Sequence, residues 1–596
     1  MIETGGTGDV GRVLRWRGID PALVRQLGTW LVVLGGAALL PLALHLDPYY
    51  TSLLTTGGSY AVAVLGLVVL TGWAGQISLA QGMFFGLGSY CLALGTTEWH
   101  WPFLTCLGVG IVVAVAAGAA LGMATLRVGT HYLAMVTLSI QLIFSLVLVN
   151  WVTVTHGSDG VIGILRPSVG GLSFADSTRY LSLVLGVLVL IAWCVWMLLR
   201  SRLGRLMAAV RDDELAAEAA GVATLQIKVL AFSISAALAS LGGALFAANL
   251  SYISPGSFGF PVAILFLAMA LIGGSRSVMG ACCGAFLLVL VPQWLQFLGS
   301  VYYAIYGLVI VGVIIYMPDG AAGFVVAQWR RWAPARKLAP PRSFHEFKPR
   351  TIARTKLLEV RGLEKTFGGV VALDRIDMVI DAGEVHALIG PNGSGKTTLI
   401  NVLCGVYRAT KGTVHLEGVQ VGRVPPHRLA EMGVTRTFQL IRLFPTLSVF
   451  DNVRVGTAGQ WWARRPESDA AWAALRLVGA DGFAGEVVSN LPQGHRKLAE
   501  IARALTRQPA LIMLDEPAGG LNPTEKGELV NVIRTLRALG VTVLIVEHDM
   551  SFVRTVADRV TVLDSGRKIA EGPPREVLRD PVVVAAYLGT VGHDSA

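Results

Sequence analysis

The stretch "HALIGPNGSGKTTL", residues 386–399, decides half of the fold. A strand-like apolar run enters a glycine-rich turn that opens into helix-forming residues. The pattern GxxxxGK[ST] thus falls on Gly390, Gly395, Lys396 and Thr397 in a strand, loop, helix context. The chemistry follows from that geometry. Glycines let backbone N–H groups converge on phosphate at a helix N-terminus, Lys396 brings a cation to the β and γ oxygens, and the Thr397 hydroxyl is a ligand for Mg²⁺. The expected phosphate cradle is Gly390, Pro391, Asn392, Gly393, Ser394, Gly395, Lys396, Thr397 and Thr398.

A phosphate loop alone does not choose among kinases, switches and transport motors. Downstream, "ALIMLDEP" (510–517) reads as a fully buried strand ending in two acids. Asp515 is placed to hold Mg²⁺ through water and Glu516 to polarise an attacking water. A second buried strand, "VLIVEHD" (543–549), ends in His548, positioned to sense the γ-phosphate. Between them and the loop, Gln439 in "RTFQ" (436–439) is a link between nucleotide and a membrane partner, and a further candidate ligand of Mg²⁺.

Outside this half the composition changes. A chain of 596 residues would ordinarily make about four domains of roughly 150 residues. Hydrophobic residues reach 53% and charged residues only 15%, against about 25% charged in an average soluble domain. Mean hydropathy is +0.60, and the excess lies within 27–325, so that part of the chain belongs in lipid. A bilayer core of about 30 Å takes about 20 apolar residues per helix. Apolar runs lie near 27–46, 51–71, 83–96, 101–125, 131–154, 180–199, 229–250, 261–274, 279–299 and 301–317. Those at 83–96 and 261–274 are short, the pattern of broken or re-entrant helices, so eight to ten segments are expected.

The net charge of +10 sits largely beside the apolar runs, at Arg12, Arg15, Arg17, Arg25, Arg200, Arg202, Arg205, Arg330, Arg331, Arg336 and Lys337. This is the positive-inside pattern rather than a nucleic-acid footprint. It predicts a cytoplasmic start and, with a cytoplasmic nucleotide-using half, an even number of crossings. The run at 27–46 lacks a small-residue cleavage site and reads as a retained membrane helix. The six cysteines form no CxxC pair, which points to neither a disulfide framework nor a zinc site.

Polar residues within the apolar half carry two readings. In "GWAGQISLAQGMFFGLGSY" (72–90), Gly72, Gly75, Gln76, Ser78, Gln81 and Gly82 either line a solute pathway or glue helices together. His156 and Asp159 in "THGSDGVIG" (155–163) form a gate or, more simply, an exposed turn. The segment 201–228, with Asp212, Asp213, Glu214 and Glu218 in an Ala-rich middle, reads as a cytoplasmic helix on which a soluble motor could push. Residues 330–356 are basic and rich in Pro, a linker near anionic lipid heads.

The order of the phosphate loop, Gln439, "LPQGHRKLAEIARAL" (491–505), Asp515 with Glu516, "AGGLN" (518–522) and His548 resembles an ABC-type ATPase over essentially all of 357–589. More narrowly, "GVTRTFQLIRLFPTLSVFDNV" (433–453), "DEPAGGLNP" (515–523) and "AYLG" (586–589) look like the ATP-binding subunit of branched-chain amino acid importers. The apolar half is similar to that system's permease over about 30–325, through "GWAGQISLAQGMFFGLGSY", "LRVGTHYLAMVTL" (126–138), "GRLMAAVRDDELAAEAAGV" (204–222), "SPGSF" (254–258) and "MPDGAAG" (317–323).

The resemblance implies a polytopic α-helical membrane domain fused to an α/β P-loop ABC ATPase domain. The expected boundaries are a cytoplasmic segment 1–26, a permease domain 27–329, the linker 330–356 and the ATPase domain 357–596. It implies that Phe367 stacks on adenine, and that two ATPase domains sandwich two ATPs, each site completed by the other domain's LSGGQ-type segment. Here that segment contributes Leu491, Gly494 and His495, with Pro492 where the family has a hydroxyl donor. Either the site it completes is weakened, or the Gly494 N–H and the helix dipole suffice. The implied catalytic set is Glu516, His548 and Gln439, with Thr397, Gln439 and Asp515 for Mg²⁺ and ATP as the nucleotide.

The expected function is ATP-driven import of branched-chain amino acids or related small polar solutes across the cytoplasmic membrane. Urea or short-chain amides are the alternative cargo; an ABC exporter and a membrane-tethered ATPase without transport are the other classes. Expected partners are a second permease and a second ATPase, as separate chains or another copy, an extracytoplasmic solute-binding protein and membrane lipid, with no nucleic acid.

Overall fold

The computed structural model describes residues 47–124, 130–169, 172–295, 347–350, 352, 354–457 and 467–588, with isolated positions at 36, 41 and between 307 and 328. The runs expected at 27–46 and 301–317, the N-terminal segment and most of the linker therefore lie largely outside the described residues. The chain divides into two compact units. One comprises Met1–Gly72, Ile77–Leu198 and Phe232–Gln328; the other comprises Trp73–Gln76, Leu199–Ala231 and Trp329–Ala596.

The first unit is helical. Six described helices are long and apolar enough to cross a membrane: Pro48–Trp73, Phe103–Ala124, Tyr132–Asn150, Ser177–Arg200, Thr224–Leu250 and Pro255–Gly273. Their starts are set locally; Asp47, for example, accepts the Tyr49 N–H at 2.9 Å ahead of Pro48, which needs no donor partner at a first turn. The run at 83–96 becomes a helix of 17 residues, Gln81–Thr97, short of a full span. The run at 261–274 gains length from a 3₁₀ turn, Pro255–Phe258, which precedes the helix Phe260–Gly273.

Between the helices Pro48–Leu67 and Gln81–Thr97 the chain widens into a π-helical stretch, Val68–Trp73, and then leaves regular structure. Gln81, fully buried, spends its amide on neighbouring helices: Nε2 donates to Ala63 O at 2.7 Å and Oε1 accepts from Ser235 Oγ at 3.0 Å. Gln141 does the same, donating to Phe258 O and accepting the Met83 N–H. The packing reading thus holds for Gln81. His156 pairs with Glu98 at the surface, in keeping with an exposed turn.

The second unit is α/β. Its main sheet runs, in spatial order, Val434–Arg436, Leu511–Asp515, Thr542–Val546, Val385–Ile389, Arg559–Asp564 and Arg567–Gly572, parallel except for the last pair. Four of these strands are buried at every residue, and in Val385–Ile389, Leu511–Asp515 and Thr542–Val546 the absence of apolar/polar alternation demands it. A separate antiparallel sheet joins Val370–Asp381, Lys356–Phe367, Lys411–Leu416 and Val419–Gln420.

The segment 201–228 is not one helix. Arg202–Asp212 stops at Asp213, whose extended backbone (φ −158°, ψ 106°) and side chain cap a new helix, Glu214–Ala219, by accepting the Ala216 N–H at 2.9 Å. An acid at a cap beats the helix propensity of the surrounding alanines because it satisfies donors that an uncapped end leaves open.

Candidate functional site

The strand Val385–Ile389 delivers the chain to the phosphate loop, and Lys396 begins the helix Lys396–Leu403. Gly393 and Gly395 take φ of 80° and 98°, values that a side chain resists, so the loop can fold into a cradle. Lys396 is buried and turned back on the loop, donating to Gly390 O and Pro391 O at 2.8 Å each. Burial pushes its ammonium pKa down, against the pull of Glu516 and Asp515. Thr397 is exposed at the mouth.

The carboxyl ends of the neighbouring strands bring the acids and the histidine together, as open α/β sheets do with ligand sites. Asp515 closes Leu511–Asp515 and is buried; burial pushes its pKa up, opposed by Arg436, whose Nη2 lies 3.5 Å away. Glu516 follows with φ 46°, a left-handed backbone in a non-glycine residue of the kind that functional sites retain. Gln439 Nε2 donates to Glu516 Oε2 at 3.0 Å, and His548 Nδ1 lies 3.9 Å from that oxygen. Gln439, Glu516 and His548 therefore converge.

Phe367 stands at the end of the strand Lys356–Phe367. It is 42% exposed, packs edge-on against Tyr407 at 5.2 Å and carries Lys365 Nζ over its face at 4.6 Å. The LPQGH segment lies at the start of the helix Gln493–Leu505, where Pro492 (φ −59°, ψ 159°) occupies the cap with no side-chain bond to the helix. Leu491 and Gly494 are buried, and the His495 ring stacks on Phe483 at 4.3 Å.

Three residues were not legible in the motif pattern. Tyr407 borders the exposed aromatic. Glu547, next to His548, accepts the Ala518 N–H at 2.7 Å and the His548 N–H at 3.1 Å, so it joins the 518–522 loop to the histidine. Glu500, fully buried, accepts the Phe438 N–H at 3.3 Å and the Arg442 N–H at 3.2 Å, on either side of Gln439. An acid inside an otherwise amphipathic helix was the available signal for Glu500.

The segment 199–231 packs on the ATPase within the same unit. Arg442 Nη1 donates to Asp213 Oδ2 at 2.8 Å, Thr446 Oγ1 donates to Asp212 Oδ2 at 2.6 Å, and Arg211 Nη2 donates to Thr446 Oγ1 at 2.8 Å. Arg202 Nη2 donates to Thr457 O at 2.7 Å, and the buried Arg507 donates to Ala220 O at 3.0 Å. The acids that cap and end these helices thus meet the loop that begins at Gln439.

Comparison with known proteins gives three family matches. "Branched-chain amino acid transport system / permease component" matches 49–317, "ABC transporter" matches 373–519, and "Branched-chain amino acid ATP-binding cassette transporter" matches 567–593. The high-affinity branched-chain amino acid transport ATP-binding protein BraF of Pseudomonas aeruginosa is 39% identical over 39% of this chain and 98% of its own length. LivG of Escherichia coli, described in the same words, is also 39% identical over 39% of this chain and 98% of its length. A solved ATP-binding cassette of an ABC transporter in its ADP conformation is 32% identical, with a TM-score of 0.37, over 40% of this chain and 100% of that one. Identity at that level across nearly the whole of BraF and LivG, joined to a permease match upstream, means that the chain belongs to the branched-chain amino acid ABC transporter family, a multi-pass inner-membrane protein that carries on one polypeptide both a permease and the nucleotide-binding ATPase whose hydrolysis is coupled to transport.

Proposed function

We propose that the chain is half of an importer that moves branched-chain amino acids toward the cytoplasm, fed by an extracytoplasmic binding protein and completed by a second permease and a second ATPase. Its working parts are the permease 27–329, the linker 330–356 and the ATPase 357–596. The observation that carries the reading is the contact of Asp212 and Asp213 with Thr446 and Arg442, because it joins a segment between membrane helices to the loop that holds Gln439. Import direction and cargo are supported by the family matches.

In this reading the phosphates lie on the loop 390–398, and Lys396 exchanges its bonds to Gly390 O and Pro391 O for phosphate oxygens. Phe367 offers its exposed face to adenine. The donor set Thr397, Gln439 and Asp515 is all oxygen, which suits a hard cation, and among the described residues the cationic group paired with the buried Asp515 carboxylate, that of Arg436, is 3.5 Å away. Those residues would hold Mg²⁺, which supplies charge neutralisation at the β and γ oxygens. Glu516 polarises the water, His548 senses the γ-phosphate, and Gln439 gives up its bond to Glu516 when nucleotide binds. Each such change at Gln439 moves the loop that ends in Arg442, and through Asp213 the segment between membrane helices.

Cysteines at Asp212 and Thr446, whose side chains share a hydrogen bond, should form a disulfide in the assembled transporter and arrest solute uptake until it is reduced. Efficient crosslinking with uptake unchanged would mean that this contact does not move in the cycle.

The segment of Leu491, Gly494 and His495 completes the partner ATPase's nucleotide site. With Pro492 the γ-phosphate there relies on the Gly494 N–H and the helix start. In Pro492→Ser the new hydroxyl caps the helix and offers a donor, so ATP-driven closure should need less ATP. The hydrogen bond to a charged phosphate oxygen, made only in the closed state, is worth about 1.5–3 kcal/mol before offsets, or roughly ten- to hundredfold in ATP concentration. Loss of the proline's fixed φ raises the freedom of the open loop and offsets part of this. An unchanged or higher half-saturating ATP concentration for closure would show that the proline already serves the site as well as a serine does.

A further inference from the structure

Resting on the coupling role just assigned to the Gln439 loop, we propose that Glu500 is the positioning residue that fixes this loop to the signature helix. Through Glu500 the ATP site completed by the partner would pull on the same loop as the chain's own site. Glu500 lies in the second turn of the helix Gln493–Leu505, whose first turn carries Gly494. One carboxylate oxygen, Oε1, receives both the Phe438 N–H and the Arg442 N–H, at 3.3 and 3.2 Å, and so closes the loop 438–442 onto the helix. One turn earlier Lys497 Nζ donates to Phe438 O at 3.3 Å, so the helix holds both backbone polar groups of Phe438.

The loop then points two ways. Gln439 bonds to Glu516, and Arg442 bonds to Asp213. Glu500 itself is completely buried, with Arg503 and Lys497 at 3.9 and 4.0 Å. A carboxylate is costly to bury for helix stability alone, since an aliphatic residue would fill the same volume; its use here is the pair of backbone donors that it satisfies. When nucleotide draws Gly494 toward the partner, the helix moves as a rigid body and the loop must follow through Glu500. Without that tether the helix keeps only the single Lys497 bond to Phe438 O, and the Arg442 end of the loop is released from it.

The test separates reach from charge in the full complex reconstituted in vesicles, with uptake and ATP hydrolysis measured together. Glu500→Asp keeps the charge but is one methylene too short to receive both amides, and Glu500→Gln keeps an acceptor of the right length without the charge. Hydrogen bonds to a charged group are worth enough that losing one should lower solute moved per ATP about tenfold in Glu500→Asp. Hydrolysis in that variant should stay within about threefold of the parent, and Glu500→Gln should retain most of the coupling. Glu500→Asp coupled like the parent, or Glu500→Gln uncoupled as far as Glu500→Asp, overturns the inference. The Asp212/Thr446 cysteine pair, introduced into the parent, distinguishes the two failures. If it does not crosslink, the docking reading fails and this inference with it; if it crosslinks while both Glu500 variants stay coupled, only the role of Glu500 is wrong.

Discussion

Glu516→Gln should reduce ATP turnover of the assembled complex by about 10²–10³-fold, the usual loss when a positioned base is removed, while ATP still binds. The amide keeps the size and the left-handed backbone demand of the site, where Glu516 has φ 46°. It also leaves Lys396, the loop 390–398 and Asp515 in place, so the proposed phosphate cradle and the proposed cation ligand Asp515 are untouched. What disappears is the negative oxygen that Gln439 and His548 face and that we propose polarises water. The variant should therefore accumulate in the ATP-bound, closed form. Steady-state hydrolysis by the purified complex, with nucleotide binding measured alongside, checks this; turnover near the parent rate would remove Glu516 from the chemistry.

The second large effect is expected in the membrane unit. The helices Gln81–Thr97 and Thr224–Leu250 touch backbone to backbone: a Cβ on Gly88 would collide with the Ser240 carbonyl, and one on Gly243 with the Phe85 carbonyl. Ser89 Oγ adds a hydrogen bond across the pair, to Gly243 O at 2.8 Å. Small residues are the means by which helices associate in lipid, where burial of apolar surface supplies little drive. Gly243→Ala should thus destabilise the complex by about 3 kcal/mol, since a backbone oxygen cannot step aside as a side chain can. Gly186→Ala is the matched control, because nothing lies within 4 Å of a Cβ there. Thermal unfolding in detergent should drop clearly for the first and barely for the second; equal midpoints would mean that the two helices can separate without cost.

Much of the ATPase was legible because its signals are local. The phosphate loop, Asp515 with Glu516, and His548 each stand at or just past the end of a buried strand, and a strand buried on both faces announces itself as an unbroken apolar run. The membrane helices were legible for the same reason, by run length. What was not legible depends on partners far along the chain. Gln81 reads equally well as pathway or glue until Ala63 and Ser235 are seen to take both ends of its amide. Glu500 looks like a surface acid in a helix rich in charge, and only the fold turns it inward toward Phe438 and Arg442. The break at Asp213 was hidden by the alanines around it, which favour an unbroken helix. The composition shift near 330–356 marks where the lipid-like sequence ends, yet Leu199–Ala231 packs with the ATPase, because Asp212, Asp213 and the carbonyls of Ala220 and Gly221 find their partners there.

The central claim is that hydrolysis at this site drives branched-chain amino acids toward the side that holds the ATPase. Its most direct test is solute flux in sealed vesicles that contain the assembled complex, with the binding protein and labelled leucine, isoleucine or valine on one side and ATP with Mg²⁺ on the ATPase side. The account predicts ATP-dependent accumulation of the amino acid in the ATP compartment, absent with Glu516→Gln. Movement out of the ATP compartment, or steady hydrolysis with no flux of any of the three amino acids, would contradict it.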